Sequence, residues 1–168
     1  MMGAGKTTTG RVLARHLDRP FRDCDADLEA LDGRTGATIA VEDGVDRLHH
    51  LEEEVLLAAL ASDEPAVITG AGWVVESPRC RAALGQRALV VWLDLPVEGL
   101  VDRMATSSHR RPMLAADAEA VLARRASHFA AVADLHLDAA RPTDDLIATI
   151  DTAVGDAPGI YGDPERRA

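Results

Sequence analysis

Cysteine is nearly absent from this sequence of 168 residues: Cys24 and Cys80 are the only two, and they stand far apart. That excludes a disulfide framework, leaves no thiolate cluster at metal-ligand spacing, and fits a reducing cytoplasm. Positive charge is also in deficit. Eighteen Lys and Arg face 28 Asp and Glu, a net charge of −10. Nucleic acid and anionic membranes both reward the opposite sign, so neither is expected as a partner. No apolar run is long enough to span a bilayer, no internal repeat is visible, and with Met1 followed at once by a loop no leader peptide is expected. His16, His50, His109, His128 and His136 follow no zinc-binding spacing. What is present is 47% hydrophobic content, enough for one domain with a proper core. The expectation is a soluble, cytoplasmic, monomeric domain over residues 1–156, with a disordered tail of Pro, Gly and charge at 157–168.

The amino terminus carries the most specific pattern. Residues 1–8 read MMGAGKTT, and Gly3, Ala4, Gly5, Lys6 and Thr7 match the back half of the phosphate-binding loop GxxxxGK[ST]. Small residues let backbone N–H groups close on phosphate oxygens, a lysine reaches the β and γ phosphates, and a threonine hydroxyl is a Mg²⁺ ligand. Thr8 begins a run in which Val12, Leu13 and Leu17 recur at helical spacing, which aims a helix N-terminus at the same phosphates. ATP and Mg²⁺ are the cofactors this pattern implies. The first glycine of the full pattern would fall just ahead of Met1, and so would the strand that leads into such a loop. That strand occupies the middle of its sheet. Without it, interior backbone groups stay unpaired at about 1–3 kcal/mol each. The resulting expectation is that this first central strand is missing from the chain and that the native start lies roughly ten residues upstream.

Downstream, short apolar runs alternate with longer helical patterns. Strands are expected at residues 20–24, 66–69, 89–93 and 135–137, and helices at 25–31, 45–61, 78–84, 97–104, 118–132 and 144–154. This rhythm predicts an α/β fold, a parallel sheet with helices on both faces. Val90 to Leu93 form the plainest buried strand, stopped by Asp94 and Pro96. Residues 105–116 are polar and loop-like, as a mobile lid would be. Asp23 and Asp25 end the first strand two positions apart, a spacing that puts both carboxylates on one face. One carboxylate would then hold Mg²⁺ while the other orients a substrate hydroxyl. The alternative is a solvated acidic turn with Asp25 as the N-cap of the next helix.

Five segments together carry a family resemblance: the GAGKTT loop, Asp23 and Asp25, the ITGAG turn at residues 68–72, RPML at 111–114 and RRASHF at 124–129. In order and spacing the chain resembles the shikimate kinases over residues 1–150. The resemblance implies a small P-loop kinase that moves the γ-phosphoryl of ATP to a hydroxyl of shikimate in aromatic amino-acid synthesis. It implies Thr7 and Asp23 as Mg²⁺ partners, Asp25 as the carboxylate at the substrate hydroxyls, and Arg111 as the lid arginine over the transferring phosphate. It also implies Arg125 as the grip on the substrate carboxylate, Glu52 as a support of the substrate site, and Arg141 beside the adenine. Lys6, Mg²⁺ and Arg111 would supply the cations that phosphoryl transfer needs while a carboxylate aims the nucleophile.

The departures gather on the acceptor side. Where the family shows a Phe-Arg pair, this chain has Leu48 and His49, and histidine lacks the two-pronged donor of arginine, so carboxylate binding should weaken. The family's triple glycine reads Gly70-Ala71-Gly72 and is followed by Trp73, where a methyl and an indole would reshape the pocket. Phe129 stands where a tyrosine is usual. Three functions stay open: a shikimate kinase, a kinase for another cyclic polyol or hydroxy acid, and a nucleotide-binding paralogue without turnover.

Overall fold

In the computed structural model, which describes residues 4–95 and 115–156, the phosphate-loop fragment runs straight into helix α1, Lys6–His16. Gly5 makes that turn with φ 84°, a left-handed backbone that a Cβ resists. Gly3, Arg111, the expected 97–104 helix, lid residues 105–114 and the 157–168 tail lie outside the described residues. Further along α1, Gly10 permits close packing: a Cβ there would meet Phe21 Cε2 and Thr69 Cγ2 at 2.8 Å.

Strand β1, Phe21–Asp23, gives way at once to α2, Cys24–Asp32. The expected strand through residue 24, with Asp23 and Asp25 on one strand face, is corrected here. The Asp23 carboxylate accepts the Asp25 N–H at 3.3 Å and acts as the N-cap, so the chain turns helical before Asp25. Asp25 sits in the first turn of α2, where an acid complements the helix dipole. Helix α3, Gly36–Glu42, has no counterpart in the sequence reading; Thr35 caps it by accepting the Thr38 N–H, and it buries Ile39 completely. Arg34 ties the connection between α2 and α3 with bonds to Asp32 at 2.7 Å, Glu42 at 2.9 Å and Asp43 at 2.6 Å.

Helix α4, Val45–Leu60, buries Leu48, Leu51, Val55, Leu56, Ala59 and Leu60, an apolar stripe at helical spacing. Strand β2, Val67–Thr69, leads through the Gly70–Gly72 turn into a 3-10 turn, Val74–Glu76, and then α5, Pro78–Arg87, capped by Ser77 with Pro78 in its first turn. Strand β3, Val91–Asp94, is half-buried rather than fully buried and includes Asp94, which was expected to stop it. Helix α6, Ala115–Val132, begins inside the expected lid, whose residues 115 and 116 are helical. Strand β4, Leu135–Asp138, and helix α7, Thr143–Asp156, complete the described chain.

The α/β parallel architecture expected from the sequence is present. Among the described residues the strands form two parallel pairs, β1 with β2 in the register Phe21 to Val67, and β3 with β4 in the register Val91 to Leu135. A cleft of about 980 Å³ is lined by Val67 and Thr69 of β2, Val91 and Leu93 of β3, and Leu13 and Lys6 of α1. Thr69 Oγ1 is buried there with no hydrogen-bond partner among the described residues. Two cores flank the strands. Ile68 packs with α2, α3, α4 and α5 through Leu28, Ile39, Leu51 and Cys80, whereas Val67, Val91 and Leu137 pack with α1 and α7 through Leu13, Leu146 and Ile150. Neighbouring positions on β2 thus serve opposite faces, as a strand covered on both sides requires. No helix among the described residues is long and apolar enough to cross a membrane.

Candidate active site

The start of α1 gathers the phosphate-side residues. Ala4 is buried, and Lys6 lies next in line after Gly5. Burial lowers the Lys6 pKa, while the carboxylates of Asp25, Asp23 and Glu52, in that order, act in the opposite sense. Those three acids come from α2, the end of β1 and α4, so three elements converge on one ammonium. Thr7 Oγ1 donates to Asp23 Oδ2 at 3.2 Å, bringing together two hard oxygen donors of the kind that suit Mg²⁺. Thr8 is exposed on the next position of the helix. Ala4, Leu95 and Ala139 share a small buried cluster, which sets the loop after β4 against the phosphate loop. Arg141 lies in that β4–α7 loop, exposed, with its Nη2 at 3.5 Å from Thr149 Oγ1.

Helix α4 links this cluster to a second one. His49 stands three residues before Glu52 and therefore on the same side of the helix. Its ring lies against Trp73, with centroids 4.1 Å apart and planes 8° from parallel. Burial lowers the His49 pKa below 6.5, and Arg125 adds to this, while Glu76 and Asp46 pull the other way. Arg125 Nε donates to Glu76 Oε1 at 2.5 Å, and Arg124 Nη2 donates to the same oxygen at 3.1 Å. Burial opposes the charge of Glu76, but the bonds from Arg124 and Arg125 prevail and leave its carboxyl below the usual value.

Ala71, expected to reshape the pocket with its methyl, is partly buried against the core formed by α2 to α5 and also lines the cleft. Gly70 is not forced by space, since a Cβ would find only ordinary contacts to Leu56 at 3.7 Å and Val74 at 3.8 Å. Phe129 stacks on Trp92 at 5.3 Å, and Trp92 on His136 at 3.9 Å. Sequence reasoning missed Glu76 altogether, because an acid four residues after the turn carries no motif of its own.

A glycine-turned helix start, set against a strand-end carboxylate in a parallel α/β frame, defines the class as P-loop phosphotransferases. Comparison with known proteins then gives the family. The family model for shikimate kinase matches residues 2–153, and the chain belongs to that family, whose members use ATP to phosphorylate an alcohol group. A shikimate kinase of Symbiobacterium thermophilum is 43% identical over 115 residues, covering 68% of this chain and 66% of its own length. One from Brucella canis is 30% identical over 140 residues, covering 82% and 70%. Among solved structures, a shikimate kinase from Acinetobacter baumannii in complex with shikimate superposes with a TM-score of 0.84 at 29% identity, covering 92% of this chain and 89% of that one. The enzyme from Aquifex aeolicus, at 24% identity and a TM-score of 0.77, shares the fold.

Proposed function

We propose that this protein is an ATP-dependent shikimate kinase, a cytoplasmic monomer whose product is shikimate 3-phosphate. The observation that carries the reading is the single face of α4 that puts Glu52 within electrostatic reach of Lys6 and His49 within electrostatic reach of Arg125. Backbone N–H groups from Gly3 to Thr8 and the Lys6 ammonium hold the triphosphate, and Arg111 and Arg141 complete its contacts at the γ-phosphate and the base. Thr7 and Asp23 would hold Mg²⁺, which when bound neutralises charge on the β and γ phosphates. The acceptor lies along Gly70-Ala71-Gly72, with its carboxylate between Arg125 and His49.

In the reaction, the hydroxyl oxygen forms the new P–O bond as the bond to the β,γ-bridging oxygen breaks, and the hydroxyl proton passes to the Asp25 carboxylate. Lys6 meets the charge that develops on the phosphoryl oxygens. Lys6 is half-buried, which reduces the screening of that interaction by water.

A coupled assay of ADP release, run with and without shikimate, tests the proposal. Shikimate-stimulated turnover is the expected result, and ATP binding without stimulation would overturn it. The His49–Trp73 stack, standing where the family carries an arginine, favours one second reading, a kinase for another hydroxy acid. In that case turnover rises with another cyclic polyol acid and not with shikimate.

A further inference from the structure

Arg125 is held in an asymmetric way. Its Nε is engaged by Glu76 at 2.5 Å, while among the described residues no hydrogen bond takes either terminal nitrogen. A guanidinium gripped through Nε keeps its Nη1–Nη2 edge for a second planar anion, so one arginine can serve two carboxylates at once. The partner is also well fixed. Glu76 ends a 3-10 turn whose Val74 and Val75 are buried, and Arg81 Nη1 donates to the carbonyls of Val75 at 2.7 Å and Glu76 at 3.0 Å. On the other side Ser77 caps α5 by accepting the Cys80 N–H and donates its own hydroxyl to Glu53 at 2.5 Å. The backbone beneath Glu76 is thus pinned on both sides of the residue, and the Arg125 side chain is only 14% exposed.

We infer that Glu76 is a positioning residue of the acceptor site: its carboxylate sets the Arg125 guanidinium so that the Nη1–Nη2 edge receives the acceptor's carboxylate. This rests on the proposed function, in which Arg125 binds that group. It accounts for how the site keeps one two-pronged donor although His49 replaces an arginine. With a single fork remaining, its orientation decides more of the affinity than it would in a site with two.

The test compares Glu76→Gln with the unaltered full-length chain, by calorimetric binding of shikimate and of its methyl ester and by steady-state kinetics. Glutamine keeps size and an acceptor oxygen but loses the charge that makes the bond to Nε strong. Shikimate affinity is expected to fall about tenfold, with ester affinity, the ATP KM and kcat each within about twofold. Equal loss for acid and ester would mark a merely structural role and overturn the inference. So would unchanged affinity, or the tighter affinity expected if Glu76 competed with the substrate for Arg125. Turnover of shikimate by the unaltered chain together with an inert Glu76→Gln sinks this inference alone, whereas absence of shikimate binding to the unaltered chain sinks it and the proposed function together.

Discussion

The imidazole of His49 lies flat on the indole of Trp73, 4.1 Å between ring centroids, so the residue that stands in place of an arginine is held rigid by an aromatic floor. Burial and the nearby Arg125 push its pKa down from the ordinary histidine value, against the pull of Glu76 and Asp46, so the neutral ring is favoured. Protonation on the acid side adds a cation facing an anionic acceptor. The shikimate KM is therefore expected to fall as the pH is lowered into the range where the ring takes up its proton, while the acceptor is still a carboxylate. His49→Arg should lower the KM at pH 7 about five- to tenfold with little change in kcat, and abolish that pH dependence. A KM that stays level or rises in the variant would count against carboxylate binding at this position.

Asp25→Asn isolates the proton acceptor. The amide keeps the shape of the side chain in the first turn of α2 but cannot take up a proton, so kcat should drop about 10²- to 10⁴-fold with the ATP KM nearly unchanged. Normal turnover would remove Asp25 from the chemistry.

Lys6 is the single lysine of the chain, which makes it a chemical reporter. Its pKa is lowered by burial, so the reactive free amine forms at lower pH than in an ordinary lysine of pKa 10.5. Acylation of Lys6, followed by the mass of the N-terminal peptide, should begin at correspondingly lower pH and be suppressed by ATP with Mg²⁺. Acylation that ATP leaves untouched would place the triphosphate elsewhere.

Gly10→Ala probes how closely α1 is pressed on the strands. The added methyl meets Phe21 and Thr69 at 2.8 Å, and overpacking of this kind costs about 1–3 kcal/mol. Better helix propensity offsets about 1 kcal/mol of that. A net loss of about 1 kcal/mol, or about 2–4 °C in Tm, is the expected result in a thermal melt. A raised Tm would show that helix and strands part easily.

The frame was legible in the sequence where a pattern is local. The stripe through Leu48, Leu51 and Val55 announces α4, and the GAGKT run announces the start of α1. What escaped depends on contacts between distant residues. Helix α3 spans seven residues and is anchored by one fully buried side chain, Ile39, too little for periodicity to show; its only local mark is the capping Thr35. Asp25 was read on a strand face because spacing alone does not reveal that Asp23 would cap a helix two residues earlier. Glu76 meets Arg125 across 49 positions of sequence, a pairing that no short-range rule contains.

Helix α1 touches β1, β2 and α7, and its Leu13 joins the core that contains Val67 of one strand pair and Val91 of the other. Among the described residues the two pairs exchange no backbone hydrogen bonds with each other. The helix proposed to receive the triphosphate is therefore also the splice that keeps the two halves of the frame in step. Loading the nucleotide should brace the entire domain, and melting temperatures taken without it will understate how sturdy the working kinase is.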